Sequence, residues 1–284
     1  MSLLLREISE DVTEMRPHAL AGSHLYPGFK HAGALESVQA QRILQGGILW
    51  RLAPRKLLIV GSGYGEELNE FLGFQRSTDV CGDLSIIDLA DVRSELTLQP
   101  HVVRLNSKIS FRQLDLLQAD ELDGFGAFDI IQCGFVLHDI APHEKDRAFE
   151  NLANAIAPGG HVLVSDIFVE SPGDVGEISG IYDRFIHEGE VALREGRLCD
   201  HEFQALVGDG IAMGLKRSRK ESVRGERDSF EPLGVLLERA RRAGLALVDL
   251  TPNPLNKHLF VLLFAHGGDR GQLSTRLAGG TDVI

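Results

Sequence analysis

The sequence predicts an α/β fold built on a mostly parallel sheet, and two observations lead to this prediction. First, five short apolar runs between residues 56 and 168 alternate with helix-length amphipathic stretches, a pattern typical of βαβ units whose sheet is covered on both faces. Second, a glycine-rich turn follows the first run directly, where a ligand can approach the backbone and the next helix. With 284 residues, of which 43% are hydrophobic, the chain is long enough for a sizeable core.

The pattern predicts seven strands, and a helix separates the first five from the last two. After the fifth run, a helix over 231–245 carries Pro near its start and Gly near its end, and ALVDL and KHLFVLLFAH follow it as two further strands. The first five strands are KLLIV at 56–60, TDVCG at 78–82, ISFRQ at 109–113, FDIIQCG at 128–134 and HVLVSDIF at 161–168.

Further regions flank or interrupt this core. Residues 1–50 are interpreted as an N-terminal helical cover, with a helix over about 34–49. The main domain spans 51–268, and within it the strand rhythm stops across 170–230, which predicts a helical insertion that acts as a lid. Residues 269–284 have no core pattern and predict a flexible tail.

Charge and composition restrict the classes of function. The net charge of −12 disfavours a nucleic-acid partner, because phosphate binding needs clustered Lys and Arg. The three cysteines are scattered without CxxC spacing, so we expect neither a disulfide framework nor a cysteine zinc site. No signal peptide and no apolar run of about 18 residues is apparent. We expect a cytoplasmic protein with a small-molecule substrate and no membrane partner, and the sequence leaves a homodimer open.

The glycine turn favours a ligand without phosphate. Its glycines are Gly61, Gly63 and Gly65, whereas the dinucleotide fingerprint needs another glycine where the chain has Glu66. Glu66 and Glu67 in the first helical turn suit the helix dipole but would repel a pyrophosphate, which disfavours an NAD-dependent oxidoreductase. S-adenosyl-L-methionine carries a sulfonium and an amino group instead, so the turn favours that cofactor.

Carboxylates at predicted strand ends can contact the same cofactor. Asp83 follows Gly65 by 18 residues and is placed at the end of the second strand, where a carboxylate can accept from both ribose hydroxyls. Asp88 is the alternative, but it falls where a helix is expected to have begun. Asp115 follows the third strand and could accept from the adenine amine. Either residue alone could also be a turn or helix cap.

These stretches together resemble the class I S-adenosylmethionine-dependent methyltransferases. The resemblance implies a Rossmann-like, seven-stranded sheet whose last strand is antiparallel, and a biosynthetic transferase that methylates O, N or C of a small metabolite. The matching stretches are LLIVGSGYG, VCGDLS, FRQLDLLQ, FDIIQCGFVLHDI, LANAIAPGGHVLVSDIF and RARRAGLALVDL, across roughly residues 50 to 266. The implied cofactor contacts are Gly61, Ser62 and Gly63 in the loop, Asp83 with Leu84 at the ribose, Asp115 with Leu116 at the adenine, and Gly134 at the methionine moiety.

One departure from the family keeps an alternative open. Ile59 stands where the family has an acid that helps hold the methionyl amino group, so the fold could serve a non-methylating reaction such as cyclisation or cofactor modification. A cofactor-free interaction module would require an empty cleft. LYPGFKHAG and LKRSRKESV are also similar to segments of carboxy-S-adenosylmethionine synthase, which implies that Arg217 pairs with a carboxylate on the cofactor, although Phe29 replaces an expected tyrosine.

Candidates for catalysis come from the fourth strand and the insertion. His138, just after the fourth strand, is a candidate general base or a wall of the cofactor site. In the insertion, His187 is a second catalytic candidate and Tyr182 a substrate contact, although a solvated helix face explains most of its polar residues. Neither His–Glu pair of the insertion matches HExxH, so we expect no metal.

Overall fold

The structure is a computed structural model of the chain. It describes residues 27–74, 82–96, 98–104, 109–118, 122, 127–171, 174–212, 214–215 and 230–267. Every structural statement below refers to these residues.

The described strands form one seven-stranded sheet. They are β1 Lys56–Val60, β2 Asp83–Asp88, β3 Ile109–Gln113, β4 Phe128–Gly134, β5 Ile156–Ile167, β6 Leu245–Pro252 and β7 Leu259–His266. Their order across the sheet is β3-β2-β1-β4-β5-β7-β6. Strands β1 to β5 pair in parallel, and β7 runs antiparallel to both of its neighbours. The predicted α/β class and the antiparallel last strand are therefore confirmed.

Helices cover both faces of the sheet and extend from it. The predicted helices over 34–49 and 231–245 are confirmed, and the described part of the insertion is helical. No helix in the described ranges combines the length and apolarity needed to cross a membrane. The helices are α1 Glu36–Leu52, α2 Glu66–Phe74, α3 Arg93–Leu96, α4 Pro100–Arg104, α5 Pro142–Ala155, α6 Val175–Arg194, α7 Asp200–Gln204 and α8 Leu233–Arg242, with 3₁₀ turns Pro27–Ala34 and Leu137–Asp139 and a π-helical segment Ala205–Ala212.

The second strand lies about one strand length later than the sequence pattern placed it. Its register pairs Asp83 with Lys56 and Ile87 with Val60, so Asp83 begins β2 and Asp88 ends it. The prediction that Asp83 ends the second strand is wrong. Asp83 and Leu84 lie at the amino end of the parallel strands, whereas ligands of such sheets bind at the carboxyl end.

The N-terminal cover and the insertion pack on one another. Ile181 and Phe185 of α6 share a buried cluster with Leu35 at the start of α1. Glu188 of α6, only 8% exposed, accepts hydrogen bonds from the backbone N–H and the hydroxyl of Ser37 at 2.9 and 2.7 Å. A carboxylate of the insertion thus caps the first turn of α1, where the helix dipole favours negative charge.

Candidate functional site

The glycine turn after β1 adopts backbone conformations that favour glycine. Gly61, Gly63 and Gly65 have φ values of 67°, 51° and 74°. The N–H of Gly61 donates to the carbonyl of Ile87 at 2.8 Å, so the turn crosses the carboxyl ends of β1 and β2. Helix α2 then begins at Glu66. The turn therefore presents backbone at the edge of the sheet where a ligand is expected.

Gly61 permits the close approach of the turn to the segment after β4. A Cβ at Gly61 would lie 2.2 Å from Cγ2 of Val136, and φ is already in the left-handed region. We expect Gly61→Ala to reduce the free energy of unfolding by about 2–4 kcal/mol. The matched control is Gly47→Ala in α1, where a Cβ meets nothing within 4 Å and the substitution should stabilise by roughly 1 kcal/mol. Urea unfolding measures both, and equal effects of the two substitutions would contradict the assigned strain.

Asp88 occupies the position that the sequence analysis gave to Asp83. Its Oδ2 accepts from the N–H of Gly63 at 3.0 Å and its Oδ1 from the N–H of Ala90 at 3.0 Å. The residue is only 7% exposed. Because a carboxylate offers about four acceptor positions, it can hold the turn and receive hydroxyl donors of a ligand together. Asp88, the alternative in the sequence analysis, is the carboxylate at the ligand edge.

Two buried polar atoms near this edge have no hydrogen-bond partner among the described residues. They are Oγ of Ser62 in the turn and Nε2 of Gln45 in α1. Oε1 of Gln45 accepts from Nε2 of Gln132 at 3.2 Å, and Gln132 pairs in register with Ile59. Residues paired in this way point to the same face of the sheet. An unpartnered buried donor costs about 1–3 kcal/mol, so these atoms are candidates to bind a ligand at the edge.

The other predicted cofactor contacts lie at the same edge but differ in availability. Asp115 follows β3, and its Oδ1 accepts from the N–H of Leu117 at 2.9 Å, which makes it a turn residue. Leu116 is 4% exposed and packs in the core, so its side chain does not face a ligand. Gly134 ends β4 and is buried, directly before Phe135, whose φ is 54°.

His138 lies in the 3₁₀ turn after β4 and forms a pair with Asp166 near the end of β5. Its Nδ1 lies 2.6 Å from Oδ1 of Asp166, and its backbone N–H donates to Oδ2 at 3.0 Å. Burial opposes the charge on the ring, but the attraction of Asp166 and Asp139 outweighs it and raises the pKa of His138 to about 9. Asp166, which is 2% exposed, thus holds the Nδ1 proton and orients the ring.

Aromatic rings connect His138 to the insertion. Phe230 stacks on His138 with a centroid distance of 5.6 Å and an interplanar angle of 23°. Tyr182 of α6 lies 6.4 Å from the same phenylalanine ring and is 5% exposed. The structure therefore brings the predicted His138 and Tyr182 into one cluster. Sequence reasoning missed Asp166 and Phe230, although Asp166 was visible as the carboxylate at the end of the fifth predicted strand.

A buried ion network acts on the pair formed by His138 and Asp166. Nζ of Lys145 is 3.7 Å from Oε2 of Glu231, and Arg239 contacts the same carboxylate at 2.8 Å. Burial lowers the pKa of Lys145, while the charges of Glu231 and Asp166 act in the opposite direction. The cation of Lys145 also acts on His138 and lowers its pKa. The network therefore limits, but does not cancel, the effect of Asp166.

Two further predicted residues do not join this site. The side chain of His187 is 69% exposed and lies 3.8 Å from Glu190 on the outer face of α6. The prediction of a catalytic role for His187 is corrected, because that face is opposite to the buried side of the helix at Ile181 and Phe185. Arg217 lies outside the described residues.

Comparison with solved structures identifies the fold. No protein-family model matches the chain, and neither does any curated protein. An O-methyltransferase family protein from Burkholderia thailandensis matches with a TM-score of 0.52 and 16% identity, covering 80% of this chain and 57% of that protein. The chain has a Rossmann-like methyltransferase fold. It spans little more than half the length of that protein.

Other solved methyltransferases match less closely in geometry. N-methyltransferase NodS from Bradyrhizobium japonicum WM9, in complex with S-adenosyl-l-homocysteine, matches with a TM-score of 0.46 and 14% identity over 92% of this chain and 97% of that one. The O-methyltransferase NcsB1 from neocarzinostatin biosynthesis, in complex with S-adenosylmethionine and 2-hydroxy-5-methyl naphthoic acid, matches with a TM-score of 0.47 and 16% identity over 81% of this chain and 58% of that one.

The methyltransferase fold places the candidate residues of this chain at one sheet edge. The glycine turn and Asp88 follow β1 and β2, while His138 and Asp166 lie at the ends of β4 and β5. Among the described residues, the hydroxyl of Ser62 and Nε2 of Gln45 have no partner, which fits a ligand with polar groups. A Cβ at Gly61 or Gly65 would meet a neighbouring side chain. This edge therefore fits a ligand with polar groups.

Proposed function

We propose that this chain is an S-adenosyl-L-methionine-dependent methyltransferase that acts on O, N or C of a small-molecule metabolite. The observation that carries the proposal is the set formed by the glycine turn, Asp88 and the unpartnered Ser62 hydroxyl at the carboxyl edge of the sheet. The net charge of −12 supports a small-molecule partner over a nucleic acid. The scattered cysteines support a cytoplasmic location.

Each end of the cofactor has a chemically suitable partner in this arrangement. Asp88 would accept from the ribose hydroxyls, and Asp115 from the adenine amine. The backbone of Gly61 and Gly63 would allow close approach of the nucleoside. The hydroxyl of Ser62 would donate to or accept from whichever polar group lies over the turn.

The amides of Gln45 and Gln132 would serve the methionyl end in place of the missing acid. Ile59 is buried and apolar, so it offers nothing to the ammonium group. An amide oxygen accepts from an ammonium, and an amide NH₂ donates to a carboxylate. A pair of glutamines can therefore bind both charges of the amino-acid moiety without adding net charge.

His138 is the group that handles the acceptor proton in this proposal. The bound cofactor supplies a methyl group that is already activated by its sulfonium. Nε2 of neutral His138 takes the acceptor proton, and Asp166 stabilises the resulting imidazolium through Nδ1. Because the pKa of His138 is about 9, the ring is a stronger base than an ordinary histidine but is mostly protonated at pH 7. Phe230 covers one face of the ring.

Ile59 supports a second candidate function. A protein that binds S-adenosylmethionine, or a relative of it, for a non-methylating reaction would not need the acid that holds the methionyl amino group in methyltransferases, and this chain has Ile59 there. Methyl transfer to a panel of small phenols, amines and carbon acids, followed by mass spectrometry, separates the two functions. Binding of the cofactor with no transfer to any acceptor would favour the second.

Both candidate functions require that the chain binds S-adenosylmethionine or a relative of it, and calorimetric titration of the whole 284-residue chain tests this binding. We expect S-adenosylmethionine and S-adenosylhomocysteine to bind with one molecule per chain, and NAD to show no binding under the same conditions. The acidic residues that begin α2 and the absence of a dinucleotide fingerprint are the physical reason for this difference. Tight NAD binding, or no binding of either sulfur nucleoside, would overturn the proposed function.

A further inference from the structure

Three different metal-ligand types meet on the surface of the insertion, away from the site above. Sγ of Cys199 lies 2.9 Å from Nδ1 of His201 and 3.1 Å from Oε2 of Glu202. The three ligand atoms all lie within 4.8 Å of one another. One thiol, one imidazole and one carboxylate thus lie close together.

A helix cap explains part of this arrangement but not all of it. Glu202 also accepts from the backbone N–H of Cys199 at 2.9 Å, which forms a capping box at the start of α7. Ser, Thr, Asp and Asn are the residues that usually cap helices, and cysteine is not among them. A cap also gives no reason for the imidazole of His201 to lie against the sulfur.

We propose that Cys199, His201 and Glu202 bind a divalent cation of the Zn²⁺ class. Thiolate, imidazole and carboxylate are the ligands that Zn²⁺ takes in proteins, with bond lengths of about 2.0–2.3 Å. Tetrahedral geometry at those lengths separates ligand atoms by about 3.3–3.8 Å. The sulfur, 2.9 Å from the imidazole nitrogen and 3.1 Å from the carboxylate oxygen, therefore needs to move away from each by less than about 1 Å. A water molecule completes the fourth position.

Binding exchanges a proton for the metal ion. The thiol of Cys199 donates to Oε2 of Glu202. The ion binds the thiolate, so the thiol proton passes to the buffer and the carboxylate oxygen turns from that proton to the metal. No electron is transferred, and Zn²⁺ keeps its oxidation state.

The site lies at the joint between the insertion and the N-terminal cover. Nδ1 of His31, in the 3₁₀ turn of the cover, is 3.8 Å from the other oxygen of Glu202. Arg197 donates to the carbonyl of Ala34 and pairs with Glu36 at 3.3 Å across the same joint. His31 therefore orients the carboxylate from the far side, and a bound ion stabilises the contact between cover and insertion by mass action.

The test uses the full-length protein freed of metal. We expect one Co²⁺ per chain, with a thiolate-to-cobalt absorption band and tetrahedral d–d bands. Cys199→Ser and Glu202→Gln each keep a capping box but remove a ligand, so each should weaken Zn²⁺ binding on the order of 100-fold in calorimetry. His31→Ala should weaken it by roughly ten-fold, as expected for a residue that orients a ligand.

His187→Ala is the matched control. It removes an exposed histidine that lies 3.8 Å from Glu190 on the neighbouring helix α6, so it should leave metal binding unchanged. A Co²⁺ spectrum without the sulfur band would overturn the proposal. So would a Cys199→Ser variant that binds Zn²⁺ as tightly as His187→Ala does, because Cys199 and Glu202 then only cap α7. Melting temperatures without metal, unchanged in every variant, show that the fold is retained.

Discussion

Asp88→Asn is expected to weaken S-adenosylmethionine binding by about 10- to 100-fold, whereas Asp83→Asn should leave it unchanged. Asp88 ends β2, and its carboxylate contacts the glycine turn through the N–H of Gly63 at 3.0 Å. Asn keeps one acceptor oxygen but loses the charge and the second oxygen, so the ribose hydroxyls lose their charged acceptor. Asp83 begins the same strand at the opposite end of the sheet, roughly 17 Å away for a six-residue strand.

The two variants make a matched pair, since both neutralise an aspartate of the same strand. Calorimetry with S-adenosylmethionine measures the affinity, and thermal unfolding without ligand shows whether the turn keeps its structure. Equal weakening by both substitutions would mean that net charge, and not position, controls binding. Weakening by Asp83→Asn alone would restore the assignment made from the sequence and contradict the site at Asp88.

The misplacement of β2 shows what a single sequence can decide about this fold. TDVCG and DLSIID are adjacent, and each is short and partly apolar, so periodicity alone does not separate them. The described strand is DLSIID, which pairs with Lys56–Val60 of β1, whereas TDVCG lies outside the described residues except for Gly82. Strand pairing depends on tertiary contacts, which a local pattern does not contain, and it places Asp88 instead of Asp83 at the carboxyl end of the strand.

Other features of the fold and the site could be predicted from the sequence. The alternation of apolar runs with helix-length stretches predicts the α/β class and the parallel strands, and the glycine turn follows from its composition. The seven strands and the antiparallel last strand were implied by the family resemblance. The outer position of His187 could also be predicted from the sequence. Ile178, Ile181 and Phe185 are spaced so that they share the apolar face of a helix, and residue 187 does not lie on that face. By contrast, the partnership of His138 with Asp166 joins residues from two strands, and no local pattern reports such a contact.

If His138 is the base that removes the proton of the methyl acceptor, kcat/KM for an acceptor with a hydroxyl group should rise about tenfold per pH unit and level off near pH 9. The reason is that only the neutral ring can take a proton, and Asp166 holds the pKa well above the ordinary 6.5. Asp166→Asn removes that charge, so the break should move toward neutral pH while the maximal rate falls. A pH profile for the wild type that breaks near 6.5, or one that Asp166→Asn does not move, would contradict the role of the pair.

The raised pKa of His138 also predicts that the free energy of unfolding depends on pH, which can be measured without a methyl acceptor. Because the folded-state pKa of His138 exceeds its unfolded value of about 6.5, the proton stabilises the folded protein fully below pH 6.5. That contribution is lost as pH rises through about 9, and it amounts to about 3 kcal/mol at most. Urea unfolding between pH 6 and pH 10 should therefore show a decline in the wild type that is smaller in Asp166→Asn. Since the unfolding measurement and the pH–rate profile depend on one titration, the decline in stability should level off at the pH where the rate profile breaks. A rate profile that breaks at another pH would assign the kinetic group to another residue.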